Sequence, residues 1–157
     1  MKINIRDWTR DDLSKIQGAW LTLCRREARS DMHLRADAAE AMRQWLLSRF
    51  KEPSAFGFIA EKDDTSAGFL VGRIDLWESI PPVVEPRKLG IIDAVFVNEE
   101  FRRRGIASQL IDRALLAMRN HHAVAAGTIY DLSNEASTET WRRAGFSPWM
   151  VHAYRML

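Results

Sequence analysis

The chain has 157 residues, 46% of them hydrophobic and 28% charged, and a formal net charge of +2. That length fits one domain with a full core, so a single domain spanning 1–157 is expected. The charge is too small to argue for nucleic acid, no apolar run approaches a membrane span, and a single cysteine, Cys24, excludes an internal disulfide.

A reducing cytoplasm is the expected compartment. The amino terminus, Met1 to Trp8, lacks the apolar region of a secretory signal. Ile3 and Ile5 alternate with polar neighbours and predict a first strand. Thr9 and Asp12 have the spacing of a capping box. Leu13, Ile16, Trp20, Leu23 and Cys24 then share one helical face. Residues 25–37 are charge-rich and carry His33. A second helix follows, with Ala38, Met42, Trp45, Leu46 and Phe50 inward.

Residues 55–61 and 67–77 read as two strands joined by the turn Lys62 to Ser66, an antiparallel hairpin. The next loop, 78–88, holds three prolines. Gly90 to Val97 is an apolar, β-branched run expected to be a buried strand. A helix follows to about Arg119, with Ile106, Leu110, Ala114 and Met118 on its inner stripe, and Asn120-His121-His122 stops it. Ala123 to Tyr130 reads as a strand parallel to the previous one, because a helix connects them. Asn134 to Ala144 is a short helix with Gly145 at its C-terminal cap, and a last strand is expected around Met150 to Arg155. The order β, α, α, β, β, β, α, β, α, β implies an α/β fold with a mixed sheet and helices on both faces.

Between the strand ending at Val97 and the next helix lies Arg102-Arg103-Arg104-Gly105-Ile106-Ala107-Ser108. The first N–H groups of a helix lack internal partners, and the aligned peptide dipoles add positive charge there. With three arginines and a glycine in front, this is a place to hold a phosphate or pyrophosphate. No P-loop is present, since no Gly-Lys-Ser/Thr ends a glycine-rich stretch, and a dinucleotide fingerprint would need more glycines.

Arg102-x-x-Gly105-x-Ala107 resembles the Arg/Gln-x-x-Gly-x-Gly/Ala signature of the GNAT superfamily of N-acetyltransferases. A second match is Asn134, Trp141, Gly145 and Phe146, at the spacing of that family's Asn, Tyr and Gly-Phe. The predicted element order is also that of the GNAT fold, a mixed, mostly antiparallel sheet with a central parallel strand pair. The resemblance implies acetyl-CoA as acyl donor, no metal, and a primary amine of a small molecule or peptide as acceptor. It implies direct attack in a ternary complex without a covalent enzyme intermediate, and a monomer or homodimer.

It also implies site residues. Arg102, Arg103, Arg104, Gly105, Ile106, Ala107 and Ser108 would seat the pyrophosphate. Val95, Phe96 and Val97 would offer a backbone N–H to the thioester oxygen. Asn134, Ser137 and Trp141 would line the pantetheine groove. Asp93 holds a commonly acidic register and is expected to share a face with Val95 and Val97; it reads either as general base or as a structural carboxylate. A base has work to do: a Lys-like amine at pH 7 sits about three pKa units below its titration point, roughly 4 kcal/mol of barrier. The family's acidic tyrosine is Trp141 here, and an indole N–H is no proton source. Tyr130, at the end of the neighbouring strand, is the candidate general acid, or a strand-end tyrosine only. Cys24 sits on an apolar stripe and is expected in the core rather than as a nucleophile. The missing tyrosine keeps open a CoA-binding module or sensor without transferase activity.

Overall fold

A computed structural model describes residues 2–157. The elements are β1 (Asn4–Asp7), α1 (Leu13–Glu27), α2 (Ala38–Lys51), β2 (Ala55–Lys62), β3 (Thr65–Trp77), β4 (Arg87–Val97), α3 (Ile106–Asn120), β5 (Ala125–Thr128) and α4 (Glu135–Arg143). They form one five-stranded sheet in the order β1-β2-β3-β4-β5. All neighbours are antiparallel except β4 and β5, which are parallel. The sheet is the mixed one expected, with helices on both faces.

The two faces have separate cores. Phe56, Phe58, Leu70 and Ile92 pack with Ile106, Leu110, Ile111, Ala114 and Met118 of α3 and with Trp141 of α4. Ile59, Phe69 and Val71 pack with Ile16 of α1 and Leu46 of α2 on the other side. Close approach of α3 to β4 depends on Gly90, where a Cβ would collide with the Met118 side chain.

Local signals act as expected. The Thr9 N–H and hydroxyl both donate to Asp12 Oδ2, at 2.7 and 2.9 Å. Asp63 and Asp64 take the left-handed conformation, φ 47° and 62°, in the β2–β3 turn, as a two-residue hairpin turn with positive φ at both positions requires. Helix α4 ends as a Schellman motif: Phe146 N–H donates to Trp141 O, Gly145 N–H donates to Arg142 O, and the Phe146 ring meets Trp141 at 5.1 Å.

Four expectations need correction. The strand around Met150 to Arg155 is absent: residues 146–157 have neither helix nor strand, and β5, the edge strand it would lie beside, is only four residues long and remains unpaired on its outer side. The parallel pair is therefore at the edge of the sheet rather than central. Strand β5 is four residues long, shorter than 123–130, because its pairing with β4 stops at Ile92↔Thr128. Trp45 is not inward; its ring is partly exposed, and Arg49 lies over it at 4.9 Å.

Candidate active site

Strand β4 outlives its partner. Thr128 Oγ1 donates to Ile92 O at 3.2 Å at the last paired position, and Asp93 to Val97 continue without β5 beside them. The second half of β4 is therefore left without a strand partner on the side where the chain leads to Tyr130.

A bulge in β4 lies at the same point. Val71 pairs with Ala94 but Gly72 pairs with Ile92, leaving Asp93 as the extra residue. A bulge shifts the alternation of side chains by one. Ile92, Val95 and Val97 face the α3 side, whereas Ala94 and Phe96 face α1 and α2. Asp93 joins the α1/α2 side, against the expectation that it shares a face with Val95 and Val97. Period two holds only while the ladder is unbroken.

There Asp93 meets two arginines. Arg73 Nη1 contacts Asp93 Oδ1, and Arg49 Nε stands 3.9 Å from Asp93 Oδ2. Arg73 also pairs with Asp75 at 3.1 Å, and Arg49 with Glu52 at 2.5 Å. Arg49 Nε and Asp93 Oδ2 are both buried atoms without a hydrogen-bond partner. Sequence reading did not find Arg49 or Arg73. The signal for Arg73 was the β3–β4 register, which needs the bulge to be known; for Arg49 there was none.

At the far end of β4, residues 99–101 make one turn of 3-10 helix and buried Phe101 anchors the loop. Arg102 Nε donates to Val97 O at 3.1 Å, tying the loop to the strand end. Arg103 has φ 59° and Gly105 has φ 74°, with Arg104 between them outside the positive range. Such alternation turns successive N–H groups toward one side, an anion-binding nest. Gly105 is the N-cap of α3 and has no side chain to cap the open amides of Ile106, Ala107 and Ser108. A Cβ on Gly105 would meet nothing within 4 Å, so the loop is open at that point. Arg102, Arg103, Arg104 and Ser108 are exposed, while the Ile106 side chain is core and leaves only its backbone to a ligand.

The third group is on α4. Asn134 Oδ1 accepts from the Ser137 N–H at 3.0 Å, so Asn134 is the N-cap, and its Nδ2 faces Glu27 Oε1 at 3.5 Å. Trp141 is only 4% exposed. Its ring lies 6.4 Å from Tyr130, nearly parallel, and edge-on to Phe146. The structure brings Tyr130 and Trp141 together but puts Trp141 in the core rather than on an open groove. Cys24 is half-buried, and burial pushes its thiol above the usual range, the reverse of an activated nucleophile.

The sequence model of the acetyltransferase (GNAT) family matches residues 11–146. The chain belongs to this family. A relative, an uncharacterized N-acetyltransferase of Archaeoglobus fulgidus, is 37% identical over 83 residues, 52% of each chain. The chain thus spans about half the length of that curated relative. Among solved structures, the aminoglycoside N-acetyltransferase AAC(6')-Iy in complex with CoA superposes with a TM-score of 0.78 at 20% identity, covering 99% of this chain and 95% of that one. The same enzyme with the bisubstrate analogue CoA-S-monomethyl-acetylneamine gives 0.77 at 21%, covering 100% and 99%. A GCN5-related N-acetyltransferase from Ralstonia eutropha JMP134 gives 0.77 at 24%, covering 99% of both chains. These likenesses show that the chain has the GNAT fold.

Proposed function

We propose that this GNAT chain transfers an acetyl group from acetyl-CoA to a primary amine, by direct attack in a ternary complex. The observation that carries the reading is the nest of Arg103 to Gly105 at the head of α3, open at Gly105 and following the unpaired end of β4. A diphosphate fits backbone N–H groups and a helix N-terminus in that arrangement. The complexes of AAC(6')-Iy with CoA and a CoA-linked analogue support the choice of donor.

In this reading the nest, with Arg102, Arg103, Arg104 and Ser108 around it, holds the diphosphate. The acyl end runs beside Val95, Phe96 and Val97, where an unpaired β4 N–H faces the thioester oxygen as it gains charge. Only the backbone serves there, because the Val95 and Val97 side chains are packed under α3 and Phe96 is stacked on Phe69 at 5.5 Å. Asn134 and Ser137 flank the pantetheine arm from α4, and Trp141 supports that wall from behind. The amine nitrogen bonds the acyl carbon, the C–S bond breaks, and the amine gives up one proton. Asp93 receives that proton through its unpartnered Oδ2, directly or through one water, and Tyr130 supplies a proton to the departing thiolate.

A thiol-release assay with acetyl-CoA across a panel of amines tests the proposal. Amine-dependent release of CoA is expected. The buried Trp141 in place of an acidic tyrosine favours a second reading, a CoA-binding module without turnover. Calorimetric binding of CoA with no thiol release on any amine would select it.

A further inference from the structure

Helix α1 ends at Glu27, and the next residue, Ala28, is already extended. Its last turn makes two contacts far away in sequence. Arg26 Nη1 donates to Glu99 Oε1 at 2.9 Å, and Arg102 Nη1 stands 3.5 Å from the same oxygen. Glu27 Oε1 faces Asn134 Nδ2 at 3.5 Å. Two consecutive residues of α1 therefore touch both the loop that leads into α3 and the head of α4. Arg25 and Arg26 both lie in the last turn, where a cation offsets the helix dipole, so position on the helix does not single out either one. The convergence of Arg26 with Arg102 on one carboxylate oxygen does.

We propose that Arg26 is a further donor-binding residue, which gives up Glu99 to hold, together with Arg102, an oxygen of the donor diphosphate. The inference rests on the reading of the Arg103–Gly105 nest as the diphosphate site. Two guanidinium groups aimed at one oxyanion are the arrangement that binds a phosphate oxygen, and the Glu99 carboxylate stands at that position. Arg102 opens the loop whose next three residues form the nest, so a diphosphate seated there lies within the reach of both long side chains. Charge decides the exchange. The Glu99 side chain is 72% exposed and that of Arg26 53%, and an exposed pair of this kind contributes little to stability. A diphosphate brings more negative charge and more acceptor oxygens than one carboxylate, and Glu99 can turn to water. Glu99 is thus a competitor of the donor rather than a brace for it.

Calorimetry on the full chain measures affinity for CoA and for dephospho-CoA, which keeps the diphosphate and lacks the 3'-phosphate. Arg26→Ala should weaken both ligands about fivefold or more. Glu99→Ala removes the competing carboxylate and should strengthen both about twofold or more. Arg25→Ala removes the same charge one position earlier, on another side of the helix, and should leave both within about twofold of the parent. Arg25, Arg26 and Glu99 are all exposed, so none of these replacements touches the core. Four results would overturn the inference while the nest stands: Arg26→Ala binding like the parent, Arg25→Ala losing as much, a loss for CoA that dephospho-CoA does not share, or Glu99→Ala binding no tighter than the parent. A parent chain that binds neither ligand removes the nest and the inference together.

Discussion

Gly105 and Gly145 provide a matched pair for testing the diphosphate site. Both have positive φ, 74° and 85°, and a Cβ on either would meet nothing within 4 Å. Alanine at each position therefore has no clash and costs only the left-handed backbone, about 1–2 kcal/mol. For a chain of this size each kcal/mol lowers Tm by about 2–4 °C, so both variants should melt about 2–8 °C below the parent. Function should separate them. At Gly105 the methyl stands in the proposed diphosphate loop and is expected to displace the ligand from one N–H group. A hydrogen bond to a charged group contributes about 1.5–3 kcal/mol, so CoA affinity should fall by about tenfold to 150-fold. Gly145 caps the other end of α4, where its N–H donates to Arg142 O at 3.1 Å, and Gly145→Ala should bind CoA like the parent. Calorimetry with CoA and thermal denaturation of the same samples supply both numbers. Affinity within twofold of the parent for Gly105→Ala, or an equal loss in both variants, would refute the placement of the diphosphate.

Asp93→Asn keeps the shape of the side chain and removes the proton acceptor; kcat should fall about 10²-fold or more with KM for acetyl-CoA unchanged. An unaltered kcat would leave Asp93 as a partner for Arg73 and Arg49 alone. Tyr130→Phe keeps the ring stacked on Trp141 and should lower kcat about tenfold without lowering Tm; equal kcat would pass the proton to water. The Arg6 guanidinium, bonded to both oxygens of buried Asp12, and the Thr9 donors hold that carboxyl at about 2, below its ordinary 3.8. The folded pKa is the lower one, so this contribution is complete above about pH 4 and is lost as pH falls toward 2. The shift corresponds to about 2 kcal/mol. Denaturant titrations should show the parent losing about that much more than Asp12→Asn between pH 5 and pH 2, and parallel losses would contradict the assignment.

Local chemistry determined whatever depends on near neighbours in the chain. The stripe of Ile106, Leu110, Ala114 and Met118 is buried as written, the Thr9–Asp12 box forms, and Gly145 closes α4. The apolar run into an arginine-glycine loop and a helix was legible for the same reason: strand, loop and helix are contiguous, and each has its own period or cap. Tertiary structure decided what pairing decides. One extra residue in β4 turned Asp93 to the other face and gave it Arg73 and Arg49, which no spacing announces because they come from β3 and α2. The alternation from Met150 to Arg155 is a strand only if another strand lies beside it; β5 is short, and the segment instead ties itself to Trp77 and Asp31. A strand's hydrogen bonds are made to a partner distant in sequence, whereas a helix or a capped turn makes its own.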